Sequence, residues 1–523
     1  MLKRIISLIL TGVLLVLTFG CNGNTAQPSP SVPEGPPEES PPSVIVRERL
    51  PRPERDFSHL SAPGLSGAEP VTYLAEDANL YGSLEIMDDG AVGRFTQQNP
   101  EDMLEFVVEV ENEGFYRLEF LMRTMSDYKE NYLIVNGAAA GALAANSEDY
   151  EPVEVQRVFL QTGANTVGIT SHWGWIAVMS LTVSGETALD PSFFEVPIKL
   201  VNPNADDNAL GLMSFLAMQY GLYILSGQQS QGDWRQNHGL FGGEAGFIYE
   251  QTGKRPAVIG LDFIDYTPSR VALGARSTET EAAILAWNNN AIVTFCWHWN
   301  APTPYIDGTW YRAFYTNHSQ RGFFKRIMDG EDPEGYQMLL DDIDVIAVQL
   351  TRLRDAGVPI LWRPLHEASG GWFWWGTDRE SYLKLWKLMF DRLTNHHDLT
   401  NLIWVWNGQH KDWYPGDEYV DIIGEDIYAA AHDHSSQSGK FFEAAAYTDA
   451  PKMLAMTENG ALFDPELAMR DGAMWAWWCV WNGNFVRTEE HTTFDTLRMF
   501  YNNGLVLTLE DLPDLKTYPI YID

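Results

Sequence analysis

Eight short, dense apolar segments alternate with amphipathic stretches in the C-terminal part of this chain, between residues 198 and 520. Their positions are 222–226, 257–263, 291–299, 358–363, 402–406, 421–428, 452–457 and 473–481. Strands with a continuous apolar sequence are buried on both faces, which is typical of a parallel sheet whose strands are joined by helices. Eight such strand–helix units in about 320 residues predict an α/β fold of the (β/α)₈ type, also called a TIM barrel.

Polar and aromatic side chains lie at the ends of these apolar segments or just after them, where the predicted strands end. They include Gln228, Asp262, Trp297, His298, His366, Glu367, Asn407, Asp426, Tyr428, Glu458 and Trp481. The active sites of (β/α)₈ barrels lie at the carboxyl ends of their strands, which open onto one face. The clustering of acidic, imidazole, indole and amide groups at these positions therefore predicts one catalytic site.

Two of these side chains, Glu367 and Glu458, form the pair that glycoside hydrolysis requires. One carboxyl group must be neutral to protonate the departing oxygen, and the other must be ionised. Glu367 is followed by an aromatic run, 372–375, which disfavours a charge and raises a carboxyl pKa, as an acid needs. Glu458 ends a predicted strand and has Tyr428 as a candidate hydrogen-bond donor, which suits an ionised nucleophile. Their separation of 91 residues is about three strand–helix units and places them on the fourth and seventh strands.

Residues 68–186 alternate between apolar and polar positions, as strands with one buried face do. Apolar residues recur at every second position in 104–110 and 116–122. Asn136-Gly137 is typical of a two-residue hairpin turn, and 163–165 separates two further strands. Short strands at this spacing predict a β-sandwich. Trp173 and Trp175, near its last strand, either stack on a sugar ring or fill the sandwich core.

The first 67 residues have the composition of an export signal followed by a tether. Lys3 and Arg4 precede an apolar stretch, 5–19, that is too short to span a bilayer, so 1–21 is predicted to be a signal peptide. The signal ends in TFGC, which is similar to a bacterial lipobox with Thr in place of the usual Leu, and Cys21 is the candidate lipidation site. Residues 22–67, Pro-rich up to residue 53, lack apolar periodicity and are predicted to be a linker. We expect a secreted protein, held at the cell surface as a lipoprotein.

The net charge of −36 restricts the partners of this chain. It repels nucleic acid, anionic membrane surfaces and polyanionic substrates such as pectate, whereas a neutral polymer is compatible with it. The 19 tryptophans favour such a polymer, because an indole can stack on the apolar face of a sugar ring. Cys296 and Cys479 lie in apolar runs and are expected to be free buried thiols, with a long-range bridge as the alternative.

The strand-end motifs resemble those of glycoside hydrolase family 26, the β-mannanases. The similar segments are TFCWHWN at 294–300, WRPLHE at 362–367, GWFWWG at 371–376, residues 413–428, and MTENG at 456–460. The resemblance implies a retaining endo-β-1,4-mannanase acting on β-mannan-type polysaccharide, with Glu367 as acid/base and Glu458 as nucleophile. It also implies that other side chains orient this pair or line the −1 and +1 sugar subsites, namely His298, Trp297, His366, Trp372, Asp426, Tyr428 and Trp481.

The sandwich resembles a family 35 carbohydrate-binding module through residues 73–78, 114–118, 135–137 and 163–167. Members of that family often bind a structural calcium through a Glu near the start and an Asp in the last strand. Glu76 or Asp77 matches the first ligand, but the last predicted strand, 175–179, holds no Asp, which argues against this calcium.

Two other functions stay open at this point. A different retaining specificity on the same scaffold, as in β-1,3-xylanases or mixed-linkage glucanases, shares the strand-end motifs and differs in loops that sequence alone does not interpret. A surface-tethered glycan-binding protein with an inactive barrel is the other alternative, and the intact pair of Glu367 and Glu458 argues against it. We expect that catalysis requires no metal or other cofactor, and that the chain acts as a monomer.

Overall fold

The computed structural model describes residues 47–60, 69–126, 128–187, 189–230 and 242–522. The predicted signal peptide, the candidate lipidation site Cys21 and most of the predicted linker lie outside the described residues. Within the described ranges, no helix is long and apolar enough to cross a membrane.

A two-sheet antiparallel sandwich follows a short first strand, β1 (Arg49–Pro51). Its strands are β2 (Val71–Leu74), β3 (Asn79–Tyr81), β4 (Glu85–Ile86), β5 (Val92–Gly93), β6 (Met103–Val110), β7 (Gly114–Thr124), β8 (Lys129–Val135), β9 (Ala138–Ala145), β10 (Glu151–Leu160), β11 (Gly163–Thr170) and β12 (Ile176–Gly185). One sheet has the order β10-β7-β12-β5-β4, with β2 also paired to β12, and the other has the order β3-β6-β11-β8-β9. The predicted β-sandwich is confirmed.

The predicted alternation of apolar and polar residues produces the sandwich core. Phe106 of β6 faces Phe120 of β7 in the other sheet, with ring centroids 6.4 Å apart. Asn136 and Gly137 join β8 to β9 with φ angles of 51° and 77°, the left-handed values that a type I′ hairpin turn requires. The turn predicted at 163–165 lies slightly earlier, because β11 already begins at Gly163.

Parallel strands form the second domain, as predicted. Its strands are β13 (Ile224–Leu225), β14 (Gly227–Gln229), β15 (Val258–Asp262), β16 (Ile292–Cys296), β17 (Ile360–Arg363), β18 (Leu402–Trp406), β19 (Ile422–Ile427), β20 (Met453–Asn459), β21 (Val506–Leu507) and β22 (Ile520–Ile522). Strands β14 to β20 form one sheet in sequence order, and every neighbouring pair is parallel. The strand β22 lies apart from this sheet and pairs in parallel with β1.

The eighth apolar segment, 473–481, closes the barrel without forming a regular strand. It makes isolated parallel bridges to Leu225 of β13 on one side and to Asn459 of β20 on the other. Gly227 permits this approach, because a Cβ atom there would lie 2.2 Å from a carbonyl oxygen of the segment. The (β/α)₈ barrel predicted from eight apolar runs is therefore confirmed, with one irregular wall. Cys296 and Cys479 are buried free thiols, also as expected.

Helices cover the outside of the barrel. Those described are α1 (Asp207–Gln219), α2 (Gly243–Thr252), α3 (Pro268–Val271), α4 (Glu279–Asn288), α5 (Phe323–Met328), α6 (Pro333–Asp355), α7 (Arg379–Asp391), α8 (Ser438–Ala445), α9 (Pro465–Asp471), α10 (Asn484–Arg487) and α11 (Phe494–Tyr501). The longest, α6, starts after Asp332, whose carboxylate accepts a hydrogen bond from the Gly335 amide at 2.9 Å. Its buried residues recur at helical spacing and include Leu339, Ile343, Ile346 and Leu350.

The sandwich lies directly against the barrel. Helix α8, which follows β19, packs against β9 and β10 of the sandwich. Arg157 of β10 donates from Nε to the carbonyl oxygen of Asp471 at 2.8 Å, in a buried position between the two domains. The guanidinium of Arg157 also lies over the rings of Phe115 and Phe442, one from each domain.

Candidate active site

Three carboxyl groups meet where the barrel strands end. Glu367 follows β17, Asp426 lies in β19 and Glu458 lies in β20. One oxygen of each group lies within 4.8 Å of an oxygen of the other two. Glycosidases that retain anomeric configuration hold their two carboxyl groups about 5 to 5.5 Å apart, whereas inverting enzymes leave about 6.5 to 9.5 Å for a water molecule. The spacing of Glu367 and Glu458 therefore fits direct attack on the sugar.

Glu458 accepts hydrogen bonds from two strong donors. The Tyr428 hydroxyl donates to Oε2 at 2.8 Å, and Nη2 of Arg363 donates to Oε1. Arg363 is fully buried at the end of β17 and also donates from Nη1 to Asp426 at 2.7 Å. The Arg363 guanidinium thus bridges the two carboxyl groups, and Glu458 is held in a fixed orientation by two donors.

Glu367 has the opposite environment. Only 9% of its surface is exposed, and among the described residues the side-chain donor to its carboxyl group is Nε1 of Trp372, at 2.7 Å from Oε2. Burial raises the pKa of Glu367 well above its ordinary value, and the negative charges of Asp426 and Glu458 raise it further. This environment therefore favours the protonated form of Glu367, which is the form that a general acid needs.

The backbone at Glu367 is held in a conformation that side chains rarely adopt. Its φ angle is 52°, in the left-handed region, and strain of this kind persists where the surroundings fix it. Here the Glu367 amide donates to the Asn407 carbonyl at 2.7 Å and to its side-chain oxygen at 3.0 Å. Asn407 directly follows the neighbouring strand β18, and its two contacts fix the backbone of Glu367.

Gly370 makes room for the indole that holds Glu367. A Cβ atom at this position would lie 2.1 Å from the Trp372 ring. Any larger residue would therefore push the indole away from the carboxyl group.

Asp426 reaches the site because the pairing of β19 with β20 is irregular. Glu425 pairs with Met456, but Asp426 pairs with Glu458, so that Thr457 is bulged out of register. The Thr457 hydroxyl donates to Asp426 at 2.7 Å. Burial raises the pKa of Asp426, while the charge of Arg363 acts in the opposite direction.

Two histidines extend the polar floor of the cleft. Nδ1 of His298 lies 2.6 Å from Asp262, and its Nε2 lies 3.2 Å from Nε2 of His366. Burial lowers the pKa of His298, but the Asp262 carboxylate outweighs this effect and the net shift is upward. Burial, Arg363 and His298 hold the pKa of His366 well below its ordinary value. The neutral form of His366 is therefore favoured, and its Nε2 shares a hydrogen bond with Nε2 of His298.

Two groups of described side chains have the residue types that bind metal ions. Asp262, Cys296 and His298 form one group, and the three active-site carboxyl groups form the other. In the first group Asp262 and His298 are at hydrogen-bonding distance, too close to share an ion placed between them. In the second, the Arg363 guanidinium already supplies the positive charge. Neither group includes Glu76 or Asp77, the residues that the sandwich resemblance suggests as a first calcium ligand.

The predicted site tryptophans separate into two kinds. Trp372 and Trp481 are half-buried, and the Trp481 ring lies 5.9 Å from that of His298. The prediction that Trp297 lines a sugar subsite is corrected by its position. It is 1% exposed, donates from Nε1 to Thr267 at 2.9 Å and stacks on Trp299 at 4.1 Å. Successive residues of an extended segment point to opposite sides, so His298 faces the cleft and Trp297 faces the barrel wall.

Three groups with clear contacts in the site were not given a role by the sequence. They are Arg363 between the carboxylates, Asn407 under Glu367, and Thr457 beside Asp426. The signal for Arg363 was available, because a charged residue inside the apolar run 358–363 must find a buried partner.

The two sandwich tryptophans occupy different environments. Trp175 is 52% exposed with a φ angle of 57°, and it borders a groove with Met87, Phe95 and Met125. Trp173 is half-buried and meets the Tyr128 ring edge-on at 5.5 Å. Only Trp175 offers a broad free ring face.

Comparisons with known proteins agree with this geometry. Residues 201–511 match the model of glycosyl hydrolase family 26, and residues 68–185 match that of the family 35 carbohydrate binding module. The mannan endo-1,4-beta-mannosidase of Thermothelomyces thermophilus is 38% identical over 460 residues, which cover 85% of this chain and 92% of that protein. Mannan endo-1,4-beta-mannosidase B of Piromyces sp is 33% identical, covering 86% and 78%. The crystal structure of the Podospora anserina GH26-CBM35 β-(1,4)-mannanase has a TM-score of 0.61 and 36% identity, covering 86% of this chain and 99% of that one.

Proposed function

This chain belongs to glycosyl hydrolase family 26, and we therefore propose that it is a retaining endo-β-1,4-mannanase that hydrolyses mannan, galactomannan or glucomannan. The observation that carries the proposal is the pair of carboxyl groups with oxygens within 4.8 Å of each other and opposite surroundings. Relatives named mannan endo-1,4-beta-mannosidase, similar over most of the chain, support the choice of polymer.

The reaction proceeds by double displacement. Glu367 gives its proton to the glycosidic oxygen while a carboxylate oxygen of Glu458 attacks the anomeric carbon, and the bond to the departing chain breaks. A covalent mannosyl ester forms on Glu458. Glu367, now ionised, takes a proton from water as that water attacks the same carbon, and Glu458 leaves as a carboxylate. No step needs a metal or another cofactor.

The surrounding groups hold this pair and the sugar at the −1 position. Tyr428 and Arg363 orient Glu458, and Asp426 shares Arg363 with it. His366 fixes His298 beside the cleft. His298, Trp372 and Trp481 line the −1 and +1 subsites.

Reducing-sugar release from a panel of polysaccharides tests the substrate. We expect activity on galactomannan and glucomannan and none on lichenan or β-1,3-xylan, with Glu458→Ala as the inactive control. A preference for lichenan or β-1,3-xylan would contradict the mannanase proposal and indicate a different family 26 specificity. The anomeric form of the first product, followed by NMR, tests retention; an initial α product would contradict the double displacement.

The sandwich binds polysaccharide through its exposed aromatic surface, with Trp175 stacking on a sugar ring. Its similarity to family 35 carbohydrate binding modules supports this assignment. Trp175→Ala should weaken retention on insoluble mannan and leave hydrolysis of soluble oligosaccharides unchanged. Treatment with EDTA should affect neither property, because the last predicted sandwich strand, 175–179, holds no Asp to complete a calcium site.

The protein is exported, lipidated at Cys21 and active as a monomer. The apolar stretch 5–19 and the Pro-rich linker support this location. In a bacterial host, labelled palmitate should enter the wild-type protein and not Cys21→Ser. Light scattering of the protein lacking residues 1–21 should give the mass of one chain.

A further inference from the structure

A slot between the sandwich and the barrel opens beside the catalytic pair. We call it the interdomain slot; it is lined by Tyr128, Glu130 and Tyr132 of the sandwich and by Trp372, Tyr428 and Gln437 of the barrel. Two of these side chains also belong to the active site, because Trp372 donates to Glu367 and Tyr428 donates to Glu458. The wall of the slot is therefore continuous with the catalytic cleft.

Trp372 shows on which side of the scissile bond the slot lies. Its indole holds Glu367, whose proton goes to the oxygen of the departing chain. Ser369 and Gly370, which also line the slot, lie two and three residues after Glu367. The slot thus lies on the leaving-group side of the cleft.

The slot combines an aromatic ring with hydrogen-bond acceptors, as sugar-binding sites do. Tyr132 is half-buried, and stacking on His172 at 4.5 Å holds its ring in place. Gln437 is 3% exposed, and its Nε2 donates to Ser435 at 2.7 Å. Its Oε1 has no hydrogen-bond partner among the described residues, and a buried acceptor of this kind is costly unless something donates to it.

The two walls of the slot are held rigidly. Lys440 of α8 lies 3.6 Å from Glu130 of the sandwich and 3.3 Å from Glu443 of its own helix, and the Tyr128 hydroxyl donates to Glu130 at 3.1 Å. Together with the buried Arg157 contact, these interactions join the domains on both sides of the slot. A site that is formed before the ligand arrives binds it without a cost for ordering its walls.

We propose that the sandwich and the barrel together form an additional sugar subsite, in which the interdomain slot binds one pyranose unit of the departing chain. Tyr132 contacts the apolar face of that unit, while Gln437 Oε1 and the Glu130 carboxylate accept hydrogen bonds from its hydroxyl groups. The inference rests on the proposed mannanase function and gives the sandwich a part in each turnover, in addition to holding the enzyme on its polymer.

The test uses the whole protein, lacking only residues 1–21, and two substrates. Mannohexaose can occupy the leaving-group side, whereas an activated aryl β-mannobioside places only its aryl group there. Tyr132→Ala should lower kcat/KM for mannohexaose about tenfold, as the loss of one aromatic contact at a binding site does. It should leave kcat/KM for the aryl substrate within about twofold, and should shift the bond at which mannohexaose is cleaved.

Tyr81→Ala is the matched control, since Tyr81 lies on β3, an edge strand of the same sheet that does not pair with β8, and is 45% exposed. This variant should leave kcat/KM unchanged for both substrates. If Tyr132→Ala lowers the Tm, Ala142→Trp serves as a second variant, because its side chain would fill the slot. It should lower kcat/KM for mannohexaose and not for the aryl substrate. An equal loss of kcat/KM on both substrates, or no loss on mannohexaose, would contradict the proposed subsite. Failure of the wild-type protein to hydrolyse mannan at all would instead overturn the proposed function.

Discussion

Replacing Trp372 with phenylalanine removes the indole donor to Glu367, the proposed acid/base, and keeps an aromatic ring in the cleft. The indole donates to Glu367 at 2.7 Å, and this bond stabilises the charged form of the carboxyl group. Without it, the pKa of Glu367 must rise above its already elevated value. The reaction requires Glu367 to be protonated, so the pH above which activity falls should move upward.

The size of the shift follows from the energy of the lost bond. A hydrogen bond to a charged group contributes about 1.5 to 3 kcal/mol, and each pKa unit corresponds to about 1.36 kcal/mol. Glu367 is only 9% exposed, so water replaces little of that energy. We expect the alkaline limb to move by about one to two pH units.

The assay is the pH dependence of kcat/KM, which reports groups of the free enzyme. Mannohexaose needs protonation of its leaving oxygen and should show the shift. A dinitrophenyl β-mannobioside has a leaving group that departs without a proton and should not show it. Trp481→Phe removes another indole near His298 and should lower kcat/KM without moving the limb. A limb that stays in place or moves to lower pH would refute this account of Trp372.

Three further outcomes follow from single contacts. Glu458→Ala should lower turnover of an aryl mannobioside on the order of 10³-fold or more, and added azide should restore it as the azide adduct; absence of rescue would contradict the nucleophile assignment. Gly370→Ala should displace the Trp372 ring, which its Cβ would approach to 2.1 Å, and should lower kcat/KM about tenfold on oligosaccharides; unchanged kinetics would show that the ring has room to move. In the sandwich, Asp102→Ala should lower the Tm measured by calorimetry, because its buried carboxylate accepts hydrogen bonds from the amides of Ser83 and Thr96; an unchanged Tm would mean that water satisfies both donors.

The barrel was predictable because its evidence is local in sequence. Continuous apolar runs of strand length, separated by helical segments, are the pattern of a parallel sheet that is covered by helices. The same reasoning placed Glu367 and Glu458 at strand ends on one face. It could not show that the eighth run, 473–481, bridges its neighbours irregularly, since that depends on the close approach at Gly227.

Side-chain direction was less predictable than strand position. Trp297 and His298 are adjacent in one motif, and the sequence does not state which of them faces the cleft. The structure buries the indole against Trp299 and turns the imidazole towards His366. Strand register determines this choice, and register is set by contacts with the neighbouring strands.

By itself, the sequence determined the fold class and the two domains' types, and it singled out Glu367 and Glu458 as the candidate catalytic pair, because apolar periodicity and residue type are properties of short segments. Only the tertiary structure brought Glu367 and Glu458 within reach of one anomeric carbon and placed Arg363 between Glu458 and Asp426. It alone set the sandwich beside the acid residue's loop to form the interdomain slot. Distances between residues that are far apart in the chain depend on how whole elements pack, and no local pattern records them.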